Sequence, residues 1–224
     1  MFDAAMTRNL ESIATFLSEF SNRRSVTILD LGCWDGANLV GYAAPGARLT
    51  GVEMAHQAAM LARHRSVRVV QADLNRPLPF RDRSFDVVTS NQVIEHLFDT
   101  DVFLGESYRV LRPGGLVIVS TENLASWHNV FALVLGWQAF SLSNVSRMNL
   151  GLGNPLALHR GSEQSEKGME HQRIFSYRGL QELLRSHGFA RVRIAGAGYY
   201  PLPATLGRID PRHAAFLTAA AIKS

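Results

Sequence analysis

The chain has 224 residues, 46% of them hydrophobic and 19% charged, which excludes a disordered or fibrous protein and suits one domain with a full core. The formal net charge is +4, carried almost wholly by scattered arginines, with Lys167 and Lys223 the only lysines; no dense basic run appears, so no nucleic-acid partner is expected. A single cysteine, Cys33, excludes an intrachain disulfide and a cysteine-cluster zinc site, and fits a reducing compartment.

The opening MFDAAMTRNLESIATFL lacks the basic region and unbroken apolar core of a secretory leader. No apolar run reaches the ~18 residues of a membrane span, and a cytoplasmic location is expected. Residues 1–24 are read as a leading segment whose helix runs from 3 to 20, with Leu10, Ile13, Phe16, Leu17 and Phe20 at helical spacing. VTILDLG (26–32) is a short apolar strand stopped by glycine, and GANLVGYAA continues as a helix ended near Pro45-Gly46. RLTGVEM (48–54) and VRVVQAD (67–73) are the next strands, with the helix AHQAAMLARH between them. A proline-rich loop then leads to the strand FDVVTSN (85–91), to a helix over 99–115 stopped by Pro113-Gly114-Gly115, and to the strand LVIVST (116–121). Five alternating units of this kind demand crossover connections, hence a mainly parallel sheet covered by helices on both faces.

The alternation breaks at 122–170, which holds the apolar WHNVFALVLGWQAF (127–140) and a polar, glycine-containing stretch. Order returns with the helix SYRGLQELLRSHGF, capped by Ser176 and ended at Gly188. Two further strands, ARVRIAGAG (190–198) and AAFLTAAAIK (214–223), are joined only by a Gly- and Pro-rich loop, which predicts an antiparallel pair at the sheet edge.

The segment ILDLGCWDGANL (28–39) ends a buried strand in Asp30 and turns through Gly32 towards Gly36. In an open parallel sheet this is where a ligand sits, outside the carboxyl ends of the strands. Glu53 follows about twenty residues on, at the tip of the next strand, where a carboxylate can accept both hydroxyls of a ribose. Asp73 ends the third strand and could accept from a base amine. Three acids, with no lysine beside them, describe a nucleoside without phosphate. A nicotinamide dinucleotide prefers G-x-G-x-x-G; here that register reads Gly32-Cys33-Trp34-Asp35-Gly36-Ala37, with an indole where the pyrophosphate needs room. S-adenosylmethionine has no pyrophosphate.

These residues, with VVQADLNRPLPFRDRSFDVVTSNQVIEHL, LRPGGLVIVST and HQRIFSYRGLQELLRSHGF in the same order, resemble the class I S-adenosylmethionine-dependent methyltransferases, and most of all the small-molecule group that includes quinone-biosynthesis enzymes. The resemblance implies a single α/β domain over 1–224: a doubly wound, seven-stranded, mainly parallel Rossmann-like sheet with an antiparallel last strand and a variable insert before strand six. It implies S-adenosylmethionine as cofactor and S-adenosylhomocysteine as product. The cofactor-binding set is then Asp30, Gly32, Cys33, Trp34, Gly36, Glu53, Met54, Asp73, Leu74 and Asn91. Asp30, Gly32 and Gly36 fall to the methionine end, Glu53 to the ribose, Asp73 to the adenine, Met54 to the adenine face, and Asn91 to the methionine moiety.

Trp34 departs from the glycine usual in this group. Its ring either points away from the cofactor, into solvent or under the leading helix, or closes over it; loss of cofactor binding is a third outcome. Methyl transfer is a direct displacement in which positioning supplies much of the rate. The sulfonium already activates the methyl, so no metal is obligatory. A hydroxyl acceptor calls for a base, and histidine is the natural candidate near neutral pH. His96 closes NQVIEH after the fourth strand, and His171 precedes QRIFSY, which in the resembling group borders the acceptor; these two are the catalytic candidates, ahead of His128 and His159 in the insert. Some quinone O-methyltransferases place a metal on E-x-x-E-H. This chain reads Gln92-Val93-Ile94-Glu95-His96, one carboxylate short, and no metal is expected.

The insert 122–170 is expected to select a small-molecule, glycan or lipid-like acceptor, with 148–170 mobile until a ligand binds. The stretch 127–140 serves as a core helix, a lid over an apolar acceptor, or a contact with a membrane or a subunit. Methyl transfer to oxygen is favoured over nitrogen or carbon. The alternative is a non-catalytic S-adenosylmethionine-binding regulatory or scaffold protein. RNA or protein methylation is disfavoured because Asn91-Gln92 stands where amino-methylating nucleic-acid enzymes carry asparagine-proline.

Overall fold

A computed structural model describes residues 2–20, 26–145, 151–157 and 170–224. The expectation for 148–170 and the candidate His159 fall largely or wholly outside them. In chain order the elements are α1 (Phe2–Phe20), β1 (Thr27–Leu31), α2 (Ala37–Tyr42), β2 (Arg48–Val52), α3 (His56–His64), β3 (Arg68–Val70), β4 (Phe85–Asn91), α4 (Thr100–Val110), β5 (Leu111–Glu122), α5 (Trp127–Val134), α6 (Tyr177–Ser186), β6 (Phe189–Ala197) and β7 (Phe216–Lys223). The described strands form one seven-stranded sheet in the order β3-β2-β1-β4-β5-β7-β6. Strands β1 to β5 pair in parallel, whereas β7 lies antiparallel to both β5 and β6. The expected antiparallel pair is therefore present, with β7 inserted inside the sheet and β6 on its edge.

Alternate strand positions feed two cores. Ile28, Val87, Ile118 and Ala220 pack with Ile13, Phe16 and Leu17 of α1, Leu39 of α2, and Ala59 and Ala62 of α3. Leu29, Leu31, Val88, Val117 and Val119 pack on the other face with Phe103 and Leu104 of α4 and Leu180 and Leu184 of α6. Consecutive apolar residues such as Ile28-Leu29, Val87-Val88 and Val117-Ile118-Val119 stand in these strands because neither face meets water there. Side chains cap two of the helices: Asp99 accepts from the Val102 amide and Ser176 from that of Gly179.

Three local expectations shift. The third strand stops at Val70 instead of Asp73 because the Asp73 carboxylate accepts from the Asn75 amide at 2.9 Å, closing an Asx turn. The helix read over 99–115 ends at Val110: Arg112 precedes Pro113 and is steered out of helical backbone, so Leu111 already pairs with Phe85 in the sheet. The apolar stretch 127–140 is helical only to Val134, and Gly136 reverses the chain at φ 72°. Its helix is not buried in the core. Trp127, Phe131 and Val134 share one face and are all exposed, Val134 to 78%. No helix among the described residues is long and apolar enough to cross a membrane.

Candidate active site

Strand order reverses between β1 and β4, and the chain emerging from β1 makes the tight loop expected at such a switch point. Gly32, Trp34 and Gly36 all take positive φ, at 77°, 48° and 75°. The amides of Gly32 and Cys33 both donate to the Val52 carbonyl, at 2.9 and 3.1 Å, and hold the loop against β2. A Cβ on Gly32 would lie 2.5 Å from Val93 Cγ2, so this position is closed to any side chain. Trp34 occupies left-handed backbone that glycine adopts freely, at a cost of about 1 kcal/mol. Its ring is 47% exposed. Trp34→Gly is expected to change the unfolding free energy by less than about 1 kcal/mol, since relief of the backbone offsets a looser unfolded chain. A urea midpoint shift worth more than twice that would mean that the ring packs structurally.

Cys33 turns inward. Its thiol fills the notch left by the missing Cβ of Gly51, and burial pushes its pKa up to about 12, so the side chain is an inert filler and does not face the cleft. Glu53, just past β2, does face it. One carboxylate oxygen accepts from the Trp34 amide at 2.9 Å and the other from the Ala55 amide at 2.8 Å. Each oxygen keeps lone-pair capacity for a further donor. Met54 beside it is 64% exposed, a large apolar side chain held out at the rim.

Asp73 follows β3, three residues past its end at Val70. Besides the Asn75 amide it accepts from Asn75 Nδ2, and these hydrogen bonds, led by the backbone one, hold its pKa below the usual carboxylate value. Leu74 packs beneath, against the core. Asn75 in turn accepts from the amides of Phe98 and Asp99, at 2.8 and 3.0 Å, and ties this corner to the start of α4.

Asp30 lies at the same rim but deeper, only 4% exposed. Thr89 donates to its Oδ1 at 2.6 Å and Tyr42 at 3.2 Å. Burial raises its pKa to about 6, against the pull of those two hydroxyls and helped by the Glu53 charge. It ties β1 to β4 and to the end of α2. Neither Thr89 nor Tyr42 is marked by the motif, because their partnership depends on β4 and α2 meeting over β1.

Asn91, at the end of β4, is held by a residue that the motif reading does not single out. Asn9 of α1, fully buried, donates from Nδ2 to Asn91 Oδ1 at 2.7 Å. Its own Oδ1 accepts from Ser120 of β5 at 2.8 Å and Thr218 of β7 at 2.7 Å. One signal was present in the sequence: Asn9 stands in the buried stripe Ala5-Asn9-Ile13-Phe16 of an amphipathic helix.

The turn after β4 and the segment entering α6 bring Glu95, His96 and His171 together, their ligating atoms all within 4.8 Å of one another. Each of the three offers one ligand atom, and together they could hold a metal ion. Glu95 is 1% exposed and accepts from Thr121 Oγ1 at 2.9 Å; burial raises its pKa to about 8. The Glu95 carbonyl accepts from the amides of Gln172 and Arg173 and pins the 170–175 segment here. His171 Nδ1 lies 2.6 Å from the Ser141 carbonyl. A carbonyl only accepts, so Nδ1 carries the proton, and Nε2 of the neutral ring carries the lone pair. His96 Nδ1 makes the same kind of bond to the Glu170 carbonyl at 3.2 Å, and the two rings lie 4.8 Å apart. His128 is apart from this pair, edge-on to Phe140 and Tyr200, and burial lowers its pKa to about 4.

A parallel sheet extended by an antiparallel β7 inside β6, with a glycine loop after β1, is the class I methyltransferase fold. Residues 29–119 match the family model for a methyltransferase domain. It is 41% identical over 98 residues to a probable S-adenosylmethionine-dependent methyltransferase of Mycolicibacterium smegmatis, covering 43% of this chain and 38% of that one. It is 32% identical over 138 residues to a ubiquinone biosynthesis O-methyltransferase of Bradyrhizobium sp., covering 59% and 52%. The chain thus spans about half or less of the length of these relatives. A SAM-dependent methyltransferase of Thermotoga maritima superposes with a TM-score of 0.65 at 21% identity, over 96% of this chain and 89% of that one. Haemonchus contortus phosphoethanolamine N-methyltransferase 2, solved with S-adenosylhomocysteine, superposes at 0.62 and 16% identity, over 97% and 52%.

Proposed function

We propose that the chain binds S-adenosylmethionine along the rim of β3, β2, β1 and β4 and transfers its methyl to an oxygen of a small, apolar or lipid-like acceptor. The observation that carries this reading is Glu53: a carboxylate oriented by two backbone amides at the tip of β2, flanked by exposed Met54 and Trp34. That arrangement suits a ribose with a flat base beside it. The residues fit the ligand in a second respect, since the left-handed Gly32 and Gly36 keep side chains off the backbone it would lie against.

When bound, S-adenosylmethionine supplies a methyl on a sulfonium, already electrophilic. Asn91 and the loop hold the methionine end, and Asp73 and Met54 hold the base. A hydroxyl held near His171 would give up its proton to Nε2, the ring nitrogen that carries the lone pair. The Ser141 carbonyl fixes the tautomer needed for this step. The exposed face of α5 supports an apolar or membrane-borne acceptor, or a subunit contact.

The test is titration calorimetry with S-adenosylmethionine and its product, followed by transfer of labelled methyl to catechols, quinols and hydroxylated lipids. Binding and label on oxygen are expected. Binding with no label on any acceptor favours a regulatory or scaffold role, and no binding sinks the reading. His171→Ala is expected to cut turnover by about 10²–10⁴-fold with cofactor affinity unchanged. A variant with full turnover would remove His171 from the chemistry.

A further inference from the structure

We infer that Asn9 of α1 is a positioning residue that turns the Asn91 carboxamide so that its NH2, not its carbonyl, faces the cleft. The geometry leaves one self-consistent assignment. Thr218 is 1% exposed, and its hydroxyl proton goes to Asn9 Oδ1 at 2.7 Å. Were the Asn9 amide reversed, that buried proton would have no acceptor among the described residues, at a cost that native interiors avoid. Ser120 adds a second donor at 2.8 Å, and Thr218 suffices when Ser120 turns to its other neighbour, Gln92. With its oxygen committed to β7, Asn9 must point Nδ2 at Asn91, and Asn91 must answer with Oδ1 at 2.7 Å. The Asn91 Nδ2 group is left over, at the carboxyl end of β4, as a pure donor.

The consequence is a choice of ligand group, and it rests on the proposed S-adenosylmethionine site. The amino-acid end of that molecule has a carboxylate, which only accepts, and an ammonium, which only donates. An Asn91 free to rotate would serve either. Asn91 locked by Asn9 serves the carboxylate alone. A residue of the leading helix, outside the conventional loop motif, thereby sets the orientation in which the donor is held.

The experiment compares S-adenosylhomocysteine with its decarboxylated analogue, which lacks only the carboxylate, in calorimetry on wild type, Asn9→Ala, Asn91→Ala and the double variant. Each single change is expected to weaken S-adenosylhomocysteine by about 5- to 20-fold. The double variant should lose no more than either alone, because one interaction is removed twice. Affinity for the decarboxylated analogue should stay within about twofold throughout. If Asn9→Ala does not fold, Asn9→Asp keeps the size and removes the donor, with the same expected losses. Additive losses, or equal losses for both ligands, overturn the inference. The side-chain amide resonances of Asn91 in ligand-free protein should also move in the Asn9 variant. That measurement tests the Asn9–Asn91 link even if wild type binds neither nucleoside, the result that would fail the proposed function instead; unmoved resonances overturn the link itself.

Discussion

Glu53→Ala is expected to weaken S-adenosylmethionine binding by about 1–3 kcal/mol, the usual worth of a hydrogen-bonded charged acceptor. The side chain does two jobs. Its oxygens accept from the Trp34 and Ala55 amides, so it clips the loop after β1 to the start of α3. Its remaining lone pairs are the only ribose acceptors that the proposed pose gives β2. Alanine removes both, and leaves the Trp34 amide of a left-handed residue without its acceptor. Glu53→Gln separates the two roles. One amide oxygen still serves Trp34 or Ala55, but not both, and the charge is gone, so an intermediate loss is expected in calorimetry. Unchanged affinity in both variants would mean that the ribose does not sit on β2.

Glu95→Gln is expected to abolish a pH-dependent loss of stability that wild type shows between about pH 5 and 8. The folded pKa of Glu95 is raised from 4.5 to about 8 by burial. Below pH 4.5 both the folded and unfolded forms hold the proton, and the group contributes nothing. Above it the unfolded chain ionises while the folded chain does not, so folding must retain a proton that solution would take. Stability therefore falls as pH rises through this window and levels off above about 8, by a total on the order of a few kcal/mol. Glutamine can still accept from Thr121 and has nothing to ionise. Asp30, raised to about 6, gives wild type and variant the same slope at lower pH, and the difference between them cancels it. Urea unfolding of both proteins at pH 5, 6.5 and 8 gives the answer. Parallel stability profiles would show that Glu95 ionises as an ordinary glutamate, and would place water or a cation beside it.

The strand-helix alternation, the loop after β1 and the acids at the ends of β1 to β3 were legible in the sequence because each is a local pattern. An apolar run stopped by glycine announces a strand end, and successive strand ends of a parallel sheet must share one rim. The shifts at Val70, Val110 and Val134 have a common origin: an Asx turn, a proline and a left-handed glycine act on one or two residues, and hydrophobic periodicity averages over them.

The partnerships inside the site were not legible. The sequence alone determined that Asp30, Glu53 and Asp73 lie at one edge of a parallel sheet, that two glycines open the loop between β1 and α2, and that His96 follows β4. Only the tertiary structure decided that Asp30 faces inward to Thr89 and Tyr42, that Cys33 fills the notch at Gly51, and that Asn91, Ser120 and Thr218 converge on Asn9. It also brought His171 to His96 across 74 residues and left the apolar face of α5 in solvent. The reason is physical. Hydrophobic period and turn chemistry act between neighbours along the chain, whereas a buried amide or carboxyl takes its partner from whatever strand or helix the packing brings within about 3 Å.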